Sequence, residues 1–242
     1  MQLIKLDATD STNTYLKDLL AETRLADYSV VIAENQTGGK GQRGAKWVSE
    51  KGKNLTVSIL KLKPNVALER QFLLSTIVSL SLIKTLEGYN VPNLAVKWPN
   101  DILSGHQKIA GILIENIIKY QHIESSVIGI GLNVNQKTFI GLPKVNSMKT
   151  ILGRSLSLEA LLSNLLQNIK YYFSAFENNG EELLNSKYET YLFRKDKPST
   201  FQLPDQSLLT GIIRGVTASG KLLLETEETT AAYGLKELRL LY

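Results

Sequence analysis

The sequence predicts an α+β protein: a mixed, largely antiparallel sheet with flanking helices over residues 1–195, and a small β-barrel over 196–242. Three observations carry this. Between 94 and 135, apolar runs recur at the short spacing of hairpins. Over 67–86 and 158–176, apolar residues recur instead at helical spacing. After the charged break Arg194-Lys195-Asp196-Lys197-Pro198, short strand-like runs alternate with turn residues. That break sets the expected domain boundary.

Taken in order, 3–6 reads as a short strand. Residues 7–13 are dense in helix-capping side chains, and Leu16, Leu19 and Leu20 follow at helical spacing. Ser11, Thr12 and Asn13 therefore fall in the first turn of a helix, where they cap it and where free N–H groups can also bind a polar ligand. A buried strand over 29–33 leads into 34–47, which sets Gly38, Gly39, Gly41 and Gly44 among Lys40, Arg43 and Lys46 and closes on Trp47. Such a loop is either a solvated turn or a concavity that binds an anion. Residues 54–62 alternate as a strand that Pro64 ends, and 67–86 is a core helix.

The next strand runs into Lys97-Trp98-Pro99-Asn100-Asp101. Pro99 breaks the ladder, so Lys97, Asn100 and Asp101 cluster at a kink. An Asp beside an Asn suits a magnesium ion or a nucleotide, or makes a plain turn. A turn at 104–107 holds His106, to which no role is assigned. Lys108 opens the apolar strand 108–115, either as a solvated end or as a cation reaching into a cleft. The strand 122–135 carries Gly129, Gly131 and Asn133. Glycines there weaken a strand unless a ligand packs closely against it. Ser157 caps the helix 158–176, Asn178-Asn179-Gly180 stops it, and a second packing helix runs to about 193. Strands are then expected over 199–203, 207–216, 221–226, 229–233 and 238–241.

Composition narrows the chemistry. The 242 residues are 43% hydrophobic and 21% charged, an ordinary globular balance. The chain has no cysteine, which excludes disulfides, thiolate metal sites and thiol nucleophiles and fits a reducing cytoplasm. His106 and His122 are its only histidines, too few for a multi-histidine metal site. A net charge of +5 favours anionic partners. No apolar run reaches the length of a membrane span, and residues 1–5 do not read as a signal peptide.

Motifs now stand in a fixed order: Ser11-Thr12-Asn13; Gly39-Lys40-Gly41-Gln42-Arg43-Gly44 with Lys46-Trp47; Lys97-Trp98-Pro99-Asn100-Asp101-Ile102; Lys108-Ile109-Ala110-Gly111-Ile112-Leu113; and Gly129-Ile130-Gly131-Leu132-Asn133-Val134-Asn135. With the β-rich tail behind them, they resemble the biotin protein ligases over essentially the whole chain. The resemblance implies a catalytic domain followed by an SH3-like barrel. It implies two steps: biotin and MgATP give biotinyl-adenylate and pyrophosphate, and a carrier lysine then takes the biotinyl group. ATP with Mg2+ and biotin would be substrates, with no tightly bound prosthetic group. The partner would be the biotin carboxyl carrier domain of acetyl-CoA carboxylase or of another biotin-dependent carboxylase. No nucleic acid or membrane partner is expected, because Ser11 lies too near residue 1 to leave room for a preceding DNA-binding domain. The protein is expected to be cytoplasmic and a monomer or homodimer.

The resemblance also distributes roles. Ser11, Thr12, Asn13 and Gln36 would bind the ureido ring. The loop with Gly39, Lys40, Gly41 and Gln42 would fold over biotin, and Gly111 and Gly131 would also bind it. Lys108 would contact the reacting carboxylate and α-phosphate, joined in catalysis and in ATP binding by Lys40 and Arg43, which would neutralise the adenylate phosphate. Trp47 would stack on adenine and Asn133 would bond it. Lys97, Asn100 and Asp101 would hold phosphates, with Asp101 as the magnesium ligand, and Arg239 would help close the nucleotide site. The family's usual loop is Gly-Arg-Gly-Arg-x-Gly-Arg; Lys40, Gln42 and Ala45 depart from it. Lysine lacks the bidentate fork and glutamine lacks the charge, so easier release of the adenylate is expected. The alternatives are a lipoate ligase of the same fold and a non-catalytic biotin-binding module. Octanoyl transferases need a cysteine that is absent here.

Overall fold

The computed structural model describes residues 2–242; the side chains of Arg43 and Asn179 lie outside the description. The chain opens β1 (Leu3–Thr9), α1 (Thr12–Glu22), β2 (Val30–Gln36), β3 (Leu55–Leu62) and α2 (Phe72–Glu87). Then come β4 (Leu94–Lys97), β5 (Asp101–Ser104), β6 (Gln107–Lys119) and β7 (His122–Leu132). Helices α3 (Met148–Leu152), α4 (Leu158–Asn179) and α5 (Glu181–Thr190) follow. The chain finishes with β8 (Pro198–Gln202), β9 (Leu208–Val216), β10 (Leu222–Glu225), β11 (Thr230–Tyr233) and β12 (Arg239–Leu241).

The first seven strands form one sheet in the order β1-β2-β3-β7-β6-β5-β4. Only β1 and β2 pair in parallel, because α1 returns the chain to the starting edge between them. The rest pair antiparallel, as the hairpin spacing predicts. Strand alternation then divides the core. Val30, Ile59 and Ile128 face the large cluster under α2 and α4, while their neighbours Val31, Leu60 and Val127 face Leu16 of α1. Helix α2 is buried on nearly every side, which is why it lacks a polar stripe. It starts later than its apolar run because residues Leu68–Arg70 form a separate tight turn. The short α3 escapes sequence reading, having a single turn capped by Ser147 and stopped by Gly153 at φ 70°.

The last five strands form a second antiparallel sheet, ordered β11-β10-β9-β8-β12. It is consistent with an SH3-like domain but is not the closed barrel the sequence predicts. β11 pairs only with β10 and the three-residue β12 only with β8, so the ring stays open. The residues between them turn on themselves, Gly234 N–H donating to Glu237 Oε2 at 2.5 Å. The two sheets are fastened by Trp98 Nε1–H to Gly220 O at 2.9 Å and by Val216 N–H to Glu189 Oε1 at 3.2 Å. At that seam the Glu189 carboxylate sits close against Gly215, where a Cβ would come within 2.3 Å of Glu189 Oε1 and make the side chain shift.

Candidate active site

A 210 Å³ cavity lies on the first sheet, between the N-terminus of α1 and the 39–47 loop. Its floor is bare backbone. Gly111 on β6 pairs with Gly131 on β7, and Gly129 lies beyond them. A Cβ on Gly131 would fall 2.3 Å from the Trp47 ring, and one on Gly129 2.4 Å from Asn13 Oδ1. The glycines noted in the strand pattern thus let the indole and the asparagine lie on the sheet.

One end of the cavity is a box of neutral hydrogen-bonding groups. Ser11 caps α1 and is buried with Thr12 and Asn13. Gln36 Oε1 accepts from Thr12 N–H at 2.8 Å and from its hydroxyl at 3.0 Å, which leaves the Gln36 amide N–H groups for a ligand. Asn13 Oδ1 accepts from the Ser58 hydroxyl at 2.5 Å. Its Nδ2 donates to Glu115 Oε2 at 2.7 Å and Leu113 O at 3.3 Å, and Lys17 donates to Glu115 Oε1 at 2.5 Å. Burial pushes the Glu115 carboxyl up, but the hydrogen bonds from Lys17 and Asn13, aided by the charges of Lys17 and Lys40, hold it below its ordinary value. Sequence reading missed Lys17, Ser58 and Glu115.

The other end is charged. Lys108 Nζ lies 2.6 Å from Asp101 Oδ1, and Lys97 Nζ 4.0 Å from Asp101 Oδ2. The Lys108 chain runs over Gly111, where a Cβ would stand 3.2 Å from its Nζ. Burial pulls the Lys97 ammonium below its ordinary pKa; Asp101 opposes this, and Lys108, Arg239 and Lys144 reinforce it. Asn100 is tied to the sheet, exchanging backbone and side-chain bonds with Ile112 at 3.0 and 2.8 Å. A neighbouring 330 Å³ cavity, lined by Lys97, Asp101, Gln42 and Arg239, lies between the two sheets.

The loop between these ends is a small closed turn. Trp47 N–H donates to Gly39 O at 2.9 Å and Gly41 N–H to Ala45 O at 2.7 Å. A Cβ on Gly39 would meet Trp47 O at 2.3 Å, so this position needs glycine. Lys40 lines the same cavity as Lys108, and its Nζ donates to Thr14 Oγ1 of α1 at 3.0 Å. The Arg43 side chain, expected in catalysis and at ATP, lies outside the described residues. Trp47, expected at adenine, has its indole on the glycine floor, with its buried Nε1–H lacking a partner among the described residues. Asn133 is buried, and its Nδ2 binds Asn146 O at 3.1 Å while its Oδ1 has no partner among the described residues. Among the described residues there is no cluster of three or more metal-ligating His, Cys, Asp or Glu side chains. Asp101 is a lone carboxylate, which fits magnesium arriving with substrate phosphates rather than a resident ion.

A two-ended cleft of this kind accommodates a ligand with a polar head and an acidic tail, next to a cavity for a polyanion. The model of the biotin/lipoate A/B protein ligase family matches residues 6–133, and the chain belongs to this family. It is 32% identical over 228 residues to the bifunctional ligase/repressor BirA of Escherichia coli strain K12, spanning 92% of this chain and 68% of that protein. To the biotin–[acetyl-CoA-carboxylase] ligase of Mycobacterium tuberculosis it is 27% identical over 231 residues, spanning 93% and 83%. The solved biotin protein ligase from Aquifex aeolicus in complex with biotin and ATP superposes at a TM-score of 0.83 and 26% identity, covering 99% of this chain and 98% of that one.

Proposed function

We propose that this chain is an ATP-dependent biotin–[acetyl-CoA-carboxylase] ligase with the cleft on the first sheet as its active site. One observation carries the reading: a neutral box of Thr12, Asn13 and Gln36 is joined across a glycine floor to Lys108. In this assignment the ureido ring of biotin enters the box, its tail runs over the sheet beside the Trp47 ring, and its carboxylate meets Lys108. A carboxylate oxygen attacks the α-phosphorus of MgATP, and the bond from that phosphorus to the pyrophosphate oxygen breaks. Lys108 stabilises the charge that grows on the phosphoryl oxygens. The amine of a carrier lysine then attacks the acyl carbon, AMP departs and the nitrogen loses a proton. Asn133 Oδ1, an acceptor without a donor, suits the amino group of adenine. Arg239, Lys97 and Asp101 face the phosphates and their magnesium.

The acceptor is a biotin carboxyl carrier domain, and the site of action is the cytoplasm; no described helix is long and apolar enough to cross a membrane. We assign catalysis to residues 1–195 and a supporting role to 196–242. The family also contains lipoate ligases, but a dithiolane ring would leave the box unpaired, which disfavours lipoate. Biotin-dependent exchange of labelled pyrophosphate into ATP, with lipoate in parallel, tests the reading. Exchange with biotin alone supports it; exchange with lipoate alone, or with neither in folded protein, refutes it.

A further inference from the structure

Two lysines pair with one carboxylate at the phosphate end, and two further cations lie near Lys97. Lys97 and Lys108 reach Asp101 at 4.0 and 2.6 Å, and Arg239 lines the same cavity as Lys97. The fourth, Lys144, lies outside every helix and strand, on a segment that pairs with Lys108: Lys108 N–H donates to Lys144 O at 2.8 Å. Lys144 has no ion pair among the described residues. What it shares with Lys97 is the ring of Tyr242, whose centre lies 4.3 Å from Lys144 Nζ and 4.9 Å from Lys97 Nζ. That ring is anchored. It packs edge-on at 5.2 Å against Phe193, whose N–H donates to Val96 O at 2.8 Å, one residue before Lys97. Strand β4 therefore carries both the lysine and, through Phe193, the ring beside it.

Ammonium groups gathered without counter-charge repel one another. An acidic side chain between them would gather them but cancel their charge. An aromatic face attracts cations and neutralises nothing. The proton affinity of Lys97 is depressed first by burial; Asp101 opposes this, and the neighbouring charges of Lys108, Arg239 and Lys144 add to it.

We propose that Tyr242 is a positioning residue for the β- and γ-phosphates of ATP and that Lys144 binds those phosphates beside Lys97. This rests on the adenylation reading above. When the bond to the α-phosphorus breaks, negative charge accumulates on the departing pyrophosphate, and Lys97 and Lys144 meet it there. Lys108 serves the reacting carboxylate end instead.

The test is pyrophosphate–ATP exchange by the full chain, with ATP, pyrophosphate and biotin each varied. Tyr242→Ala raises the KM for ATP and the half-saturating pyrophosphate concentration about five- to tenfold, on the scale of two lost cation–ring contacts, and moves the KM for biotin by less than about twofold. Tyr242→Phe keeps the ring and stays within about twofold of the parent for ATP. Lys144→Ala shows the same selective loss, and combining it with Tyr242→Ala gives less than the product of the separate losses. Tyr242→Leu, which keeps bulk without a π face, behaves like Tyr242→Ala. Parallel rises in both KM values, multiplicative losses in the double variant, or a leucine variant that behaves like phenylalanine would overturn the proposal. Thermal melting identifies any variant that fails to fold, and Tyr242→Phe against Tyr242→Leu then decides. If the parent shows no biotin-dependent exchange, the adenylation reading fails separately, and calorimetric binding of pyrophosphate to the parent and to Tyr242→Leu still tests this site.

Discussion

Lys108 is a cation whose chain lies close over Gly111 and whose Nζ pairs with Asp101. Replacing it with alanine should lower the exchange rate about 10²- to 10³-fold, as for loss of one preorganised charge at a developing oxyanion. Gly131→Ala should raise the KM for biotin about tenfold, because the new methyl displaces the Trp47 ring from the floor. Glu115 makes a pH prediction. Its pKa is lowered in the folded chain, so the unfolded chain binds more protons at acid pH. The stability it adds is complete above the ordinary carboxylate range and is lost as pH falls through that range toward the lowered value. Denaturant midpoints should therefore fall less between pH 6 and pH 4 in Glu115→Gln than in the parent. These residues differ in how visible they are in sequence. Lys108 and Gly131 sit inside short motifs, whereas Lys17, Ser58 and Glu115 come from α1, β3 and β6 and meet only through the folded sheet.

At the scale of elements, the loop from Gly39 to Trp47 shows what local pattern conveys. Its glycines mark a tight turn, and the Gly39–Trp47 and Gly41–Ala45 bonds are that turn. The destination of its charges is not a local property: Lys40 bonds Thr14 on α1, a partner that the loop's own pattern does not name. Gln42 lines both cavities, so under the proposed function an arginine here would add a positive charge beside the adenylate. Gln42→Arg should slow adenylate release, measured by chasing labelled biotinyl-adenylate with unlabelled biotin and ATP; equal release rates would refute the expectation. Strands were legible wherever alternation or hairpin spacing was strong. The parallel β1–β2 pair and the one-turn α3 were not, since one is a long-range pairing and the other is too short to carry a period.

At the scale of the molecule, two sheets share one seam. Trp98, one residue past β4, donates to Gly220 in the second sheet, so the Lys-Trp-Pro-Asn-Asp motif also serves to dock the C-terminal strands. Trp98→Phe should lower stability by about 1 kcal/mol, a shift in Tm of about 2–4 °C, checked by calorimetry. The open second sheet explains why a barrel was the natural reading of its sequence. Five short strands are counted correctly from turn residues, but closure depends on whether β11 and β12 meet, and their separation is fixed by the turn at Gly234.

The two cavities also differ in when their parts are made. Every residue around the first belongs to the stretch from Ser11 to Gly131, whereas the second needs Leu238, Arg239 and Leu240. A nascent chain emerging from the ribosome thus completes the residues of the first cavity well before those of the second. Domains fold from the N-terminal side as synthesis proceeds. The sheet that carries the first cavity packs its other face on α4, so that cavity too is supported only once residues 158–179 have been made.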